Sequence, residues 1–285
     1  MSRVLRWAGK GLAAILVFLL LAAALIWLIS ARMLSSASAL APERLDQPTA
    51  AELADASRHL RTLGCLNCHG DRGEGEKFID EPGIATVYAP NLTLLAAKAS
   101  DQQLDGAIRH GVGTDGRALV IMPSEGYQFL TDREVAALIA ALRQLPRTGE
   151  EHPARKIGPL GRIGLVSGKF QTTPKLIEAY RAAPLPDFGP QFALGRHLVE
   201  THCSQCHGPD LKGKEAKPGV MSADLAIAGA YDLDQFRALL QKGVAPGNKD
   251  IGMMAGVARS DFSKLTDAEI AAIHAYLAER AQKTD

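Results

Sequence analysis

Residues 11–29 (GLAAILVFLLLAAALIWLI) run without a charge. At about 1.5 Å per residue a helix of that length spans about 28 Å, enough to cross a hydrocarbon core. Arg3, Arg6 and Lys10 precede it and orient its N-terminal end towards the cytoplasm. Beyond it, apolar positions recur at helical spacing in short stretches punctuated by Gly and Pro. The clearest are Val135, Leu138, Ile139 and Leu142 behind Thr131-Asp132-Arg133-Glu134, and Ile270, Ile273 and Leu277 behind Thr266-Asp267-Ala268-Glu269. Both openings have the Thr-x-x-Glu pattern of a capping box. No stretch alternates apolar and polar residues long enough to predict a strand, so the pattern predicts an all-α chain.

The chain also repeats itself. SRHLRTLGCLNCHG (57–70) aligns without a gap on GRHLVETHCSQCHG (195–208). LDGAIRHGVG (104–113) matches FRALLQKGVA (236–245), and LTDREVAALIAAL (130–142) matches LTDAEIAAIHAYL (265–277). Three matched segments in one order predict two domains of one fold, each a helix leading into CxxCH, a Gly-rich loop, a middle helix, a second loop and a closing helix. The expected boundaries are an anchor over 1–30, a spacer over 31–48 that lifts the first domain off the membrane, domains over 49–148 and 190–285, and between them a Pro- and Gly-rich linker over 149–189, expected to be extended.

Composition changes this little. Of 285 residues, 47% are hydrophobic and 22% charged, and the length suits two domains of ordinary size. Setting aside Arg3, Arg6 and Lys10 leaves 29 Lys and Arg against 31 Asp and Glu, which excludes a nucleic-acid footprint. Ala37-Ser38-Ala39 resembles a signal-peptidase site, but an uncharged run of 19 residues exceeds the usual 7–15 of a signal peptide and favours a retained anchor. Either way the rest of the chain is expected outside the cytoplasm.

All four cysteines sit in two copies of CxxCH: Cys65, Cys68 and His69, then Cys203, Cys206 and His207. Thiols at i and i+3 lie on one helical turn, reach the two vinyl groups of a haem, and leave the next His as proximal iron ligand. Two copies in a repeated frame of an exported chain predict two covalently attached haems c. A zinc site shared by motifs 138 residues apart, or CxxC disulfides that leave His unexplained twice, fit the pattern less well. On the distal side Met122, followed by Pro123, and Met254, with Met253 and Met221 as competitors, supply thioether candidates. From Gly111 to Met122 is an 11-residue step, and the same step from Gly243 reaches Met254. His59, His197, His110, His202 and His274 read as surface or interhelix residues.

These residues resemble the class I cytochrome c fold, and more narrowly the multihaem cytochrome subunits of bacterial membrane-bound dehydrogenases. The resemblance rests on Gly64-Cys65-x-x-Cys68-His69-Gly70, Ala89-Pro90-Asn91-Leu92-Thr93, the 108–117 stretch IRHGVGTDGR, and Met122-Pro123. In the second half it rests on Cys203-x-x-Cys206-His207-Gly208, Ala223-Asp224-Leu225, and Met254 ahead of Leu265-Thr266-Asp267. It covers about residues 50–285, and that group often carries three haems where this chain has two motifs. The family's first and last helices cross where a Gly meets an aromatic. Gly195 and Tyr276 fit that pattern, whereas Ser57 and Ala141 replace both partners in the first half and imply a looser crossing.

The expectation is therefore an inner-membrane, single-pass protein with its haem domains on the periplasmic side. It would pass single electrons from a respiratory dehydrogenase or quinol-linked donor to a terminal acceptor, with redox proteins as partners. The enzymatic alternative is a dihaem peroxidase, which needs one iron with an open distal position; a haem-based sensor or assembly subunit is a third.

Overall fold

A computed structural model describes residues 3–35, 45–217 and 219–283. α1 (Arg3–Ser35) is one unbroken helix, and its 6–35 stretch is long and apolar enough to cross a membrane. It runs past Ile29 into the stretch expected as a spacer, and Ala118 N–H donates to Leu34 O at 3.0 Å, so the helix end touches the first domain directly. Ala37-Ser38-Ala39 and half of that spacer, residues 36–44, lie outside the described residues.

The first domain contains α2 (Ala50–Thr62), α3 (Cys65–His69), β1 (Glu76–Glu81), β2 (Ala85–Ala89), α4 (Leu92–Lys98), α5 (Asp101–His110), α6 (Ser124–Tyr127) and α7 (Asp132–Gln144). Next come β3 (Lys156–Ile157), α8 (Pro159–Val166) and α9 (Thr173–Arg181). The second domain contains α10 (Ala193–His202), α11 (Ser204–His207), β4 (Glu215–Lys217), β5 (Val220–Met221), α12 (Leu233–Lys242), α13 (Met253–Ser260) and α14 (Asp267–Lys283). In each half the helix before CxxCH packs on the closing helix, α2 on α7 and α10 on α14. Both capping boxes form: Thr131 N–H and Thr266 N–H each donate to the Glu three residues on at 2.7 Å. Gly111 and Gly243 end α5 and α12 with φ of 66° and 69°, the left-handed conformation that a glycine adopts without a Cβ penalty.

The all-α class holds, and three details differ from expectation. Two small antiparallel sheets, β1-β2-β3 and β4-β5, accompany the helices. Their strands have two to six residues, and β1 is bulged between Lys77 and Ile79, so no two-residue alternation could build up. The 149–189 segment is not an extended linker, because it holds β3, α8 and α9. Pro159 and Pro174 sit in the first turns of α8 and α9, where a missing N–H costs nothing, so they start helices instead of breaking them. The helix crossing of the first domain also differs. Ser57 is exposed and bonds back to Leu53 O, and the buried small residue of α2 is its neighbour Ala56, packed in one core with Ala141. In the second domain Gly195 does meet the closing helix: a Cβ there would lie 2.1 Å from Ala272 O and 2.8 Å from Tyr276 Cβ.

The domains pack on each other through polar side chains. Arg58 of α2 forms a two-pronged ion pair with Glu269 of α14, both contacts 2.8 Å, and Thr62 bridges His59 at 2.9 Å and His202 at 3.2 Å. Burial, with Arg58 beside it, holds the His59 pKa below the ordinary value. For His202 burial, with His59 nearby, drives it down to about 3, so this histidine stays neutral.

His197 of α10 meets Glu134 of α7 at 2.7 Å. Burial opposes its charge, but the bond to Glu134 and the charges of Glu134 and Glu200 outweigh it and raise its pKa. Burial likewise raises Glu134, yet His197 and the Thr131 cap prevail and bring it to about 2. A raised imidazole stabilises below its unfolded pKa and loses the effect as pH climbs through its folded one; a depressed carboxyl stabilises above its unfolded pKa and loses the effect on acidification. The pair is therefore strongest between the ordinary values of 4.5 and 6.5. Replacing His197 with Gln is expected to lower the thermal midpoint of the full chain more at about pH 5.5 than at about pH 9. Equal losses at both pH values would show that the contact is not ionic.

Candidate haem sites

Each CxxCH closes a tight turn. In the first, Gly64 turns the chain in the left-handed region ahead of α3, and His69 points inward, 9% exposed. His69 Nδ1 pairs with Pro90 O at 2.8 Å. In the second, His207 Nδ1 pairs with Ala223 O at 2.7 Å. A carbonyl can only accept, so both Nδ1 atoms carry the proton and both Nε2 atoms keep a lone pair directed away from the bond. That is the tautomer an iron ligand requires, with ring orientation fixed by a group behind it. Burial, only partly offset by the carbonyl, lowers the pKa of both imidazoles and keeps them uncharged.

The same local device positions both carbonyls. Asn91 caps α4, its side chain accepting from Leu94 N–H at 3.3 Å, while its amide donates to Thr148 O at 2.6 Å. Asp224 caps the 3-10 helix Leu225–Ala230 through Ala226 N–H at 2.8 Å, and Arg280 braces it from α14 at 3.3 Å while donating to Asp210 O at 2.7 Å. The residue before each cap, Pro90 or Ala223, faces its histidine. Gly75 N–H and Gly213 N–H also return to His69 O at 2.6 Å and His207 O at 2.9 Å, closing equivalent loops.

Cys65 and Met122 pack against one core, Cys203 and Met254 against the other. Burial, with the neighbouring motif cysteine second, pushes the Cys65 and Cys203 thiols up to about 12. Met253, the competitor, opens α13 and is exposed, whereas Met254 turns inward. Met221 is 69% exposed in β5. Among the described residues no group of three or more His, Cys, Asp or Glu is placed to hold a metal ion. The donor set of each half, two thiols, one oriented imidazole and one thioether, fits a covalently held haem.

Several site residues were not legible from sequence. Thr173 of α9 donates its N–H to Leu119 O at 2.8 Å and its hydroxyl to Met122 O at 3.1 Å, pinning the loop that carries Met122. Tyr180 of the same helix donates to Ser204 O at 3.0 Å, inside the second CxxCH. Asn67, between the first cysteines, donates to Asp261 of the second domain at 2.5 Å. No repeat or motif marks Thr173 or Tyr180, because α9 belongs to neither half.

The cytochrome c family model matches residues 53–146 and 192–281, more than half of the sequence, and the chain belongs to that family. Cytochrome c domains bind haem c covalently, and two domains accommodate two such groups. Among similar proteins are the fructose dehydrogenase cytochrome subunit of Gluconobacter japonicus, 24% identical over 81% of this chain and 54% of that protein, and the cytochrome c subunit of a quinone alcohol dehydrogenase of Gluconacetobacter polyoxogenes, 25% identical over 79% and 55%. A gluconate 2-dehydrogenase cytochrome c subunit of Pantoea cypripedii is 26% identical over 79% of this chain and 59% of its own length. The chain thus spans little more than half the length of these curated relatives. Their likeness supports electron transfer by a cytochrome c.

Proposed function

We propose that this chain is a membrane-anchored dihaem cytochrome c that takes single electrons from a dehydrogenase or quinol-linked donor and passes them to a terminal acceptor on the periplasmic side. The observation that carries the reading is the duplicated proximal site: two CxxCH histidines, each with Nδ1 committed to a carbonyl, each in a domain with an inward methionine at the same register. When bound, haem c supplies a one-electron Fe(III)/Fe(II) couple. Cys65 and Cys68, and Cys203 and Cys206, would tether the two groups. Pro90 and Ala223 hold His69 and His207 in the ligating tautomer. Met122 and Met254 would close the distal faces, and the two apolar cores exclude water. The Arg58–Glu269 and Asn67–Asp261 contacts tie α2 and the first CxxCH turn to α14 and the end of α13 in the second domain, which favours transfer between two fixed centres.

The relatives' names support a dehydrogenase as donor, and the 19-residue uncharged run behind three basic residues supports an anchored chain with both domains outside the cytoplasm. A redox titration of the full protein in detergent, followed by optical and magnetic spectra, tests the assignment. Two one-electron, low-spin transitions without turnover of hydrogen peroxide are expected. A high-spin centre that turns over peroxide would replace this reading with a peroxidase.

A further inference from the structure

α8 and the β1-β2 hairpin form a surface that the proposed function does not use. Among the described residues of the first domain and the segment after it, every exposed large apolar side chain outside α1 lies on these two elements or just after α8: Phe78 and Ile84, then Leu160, Ile163 and Val166, then Phe170. Leu160 is 59% exposed. The two elements are fused by Gly158 N–H to Ile84 O at 2.7 Å and Leu160 N–H to Gly83 O at 2.9 Å. Gly158 and Gly161 allow the approach, since a Cβ at either would lie 2.3 Å from a carbonyl oxygen of the 83–84 turn.

This patch is fixed against α1. α8 packs on α1, the Arg162 guanidinium lies 5.5 Å from the centre of the Trp27 ring, and Arg162 Nη1 donates to Ser30 Oγ at 2.9 Å. Ala22, Ile26, Ser30 and Leu34, one stripe at four-residue spacing, are shielded while most of their neighbours on α1 are exposed. Trp7 and Trp27 stand about 30 Å apart along the helix, the thickness of a hydrocarbon core, and tryptophan concentrates at its two boundaries. Trp27 therefore marks the outer boundary, and α8 lies at that depth. On the α8 side no acidic residue occurs between Glu151 and Glu178, a stretch that carries Arg155, Lys156, Arg162 and Lys169, whereas the hairpin carries Glu76, Asp80 and Glu81 beside Lys77. The apolar side chains of α8 with these cations beside them suit an interface of acyl chains and anionic headgroups, and the hairpin adds Phe78 and Ile84 to its apolar surface.

We propose that α8 and the tip of the β1-β2 hairpin are seated in the outer membrane–water interface, with the lipid surface as occupant, so that the first domain lies on the bilayer in a fixed orientation and is not held off by a tether. The inference rests on α1 being the anchor.

The test places a nitroxide label on the full-length haem-loaded protein in phosphatidylglycerol-containing nanodiscs, one site at a time, through Leu160→Cys and Ile163→Cys. Leu20→Cys in α1 serves as the lipid reference and Leu194→Cys, exposed in the second domain, as the water reference. The readout is collision with oxygen relative to collision with a water-soluble nickel chelate. Labels at 160 and 163 are expected to resemble the one at 20, with a ratio several-fold above that at 194. A lipid-like label at 20 with water-like labels at both 160 and 163 would overturn the proposal while the anchor stands, and would assign the patch to a protein partner. A water-like label at 20 would remove the anchor reading and the inference with it.

Discussion

Replacing Cys203 and Cys206 together with alanine is expected to cut haem absorbance per polypeptide by about half, because two of the four attachment thiols lie in one motif and each motif serves its own domain. The surviving haem should keep its spectrum, since Cys65 and Met122 pack in a core that shares no residue with the one holding Cys203 and Met254. The mirror variant at Cys65 and Cys68 should remove the other half and a distinguishable spectrum. Loss of one group is also expected to destabilise its domain, whose apolar side chains would face a hollow in place of a large flat ligand. The contacts across the interface, Arg58 with Glu269 above all, would then hold a folded domain against a loosened one. Haem quantification against protein mass, with staining after denaturing electrophoresis, checks the stoichiometry. A variant at 203 and 206 that retains two covalent haems would show that the second CxxCH is not an attachment site.

The parts of the fold that came directly from the sequence are those where local chemistry and long-range packing agree. Thr131 with Glu134 and Thr266 with Glu269 start helices by themselves, and the apolar positions behind them point to one side whatever they pack against. The CxxCH turns are equally local. What stayed hidden depends on contacts between segments far apart in the chain. Ser57 aligns with Gly195 without a gap, yet α2 is turned so that Ala56 faces the core, and alignment carries no information about that rotation. Pro159 and Pro174 read as linker punctuation because the helices they open have only eight and nine residues, too short for periodicity to show. The carbonyls of Pro90 and Ala223 are backbone atoms, so no side-chain pattern could single them out; only the caps that follow, Asn91 and Asp224, leave a trace. His202 reads as a surface or interhelix residue until the first domain packs on it and Thr62 bonds it.

The choice between neighbouring methionines has the second large consequence. Gly111 and Gly243 are structurally equivalent, each capping a middle helix in the left-handed conformation, and eleven residues on from each stands a methionine that packs inward: Met122 in a loop, Met254 in the first turn of α13. Met253 begins that helix 39% exposed and does not pack on the core that Met254 joins. A rotation of about 100° separates successive side chains on a helix, so the two cannot both face the core. Met254→Ala would remove sulfur and volume together, so Met254→Leu is the sharper variant, since it fills nearly the same space without a thioether. It is expected to abolish the methionine-to-iron signature of one haem and to lower that haem's potential by a sizeable part of the roughly 0.8 V that axial ligands command, leaving the other haem unchanged. Met253→Leu should leave both potentials where they are. Paired titrations of the two variants decide the matter: a lowered potential in Met253→Leu and none in Met254→Leu would move the ligand one residue back and require α13 to turn by that same 100° when the haem is in place.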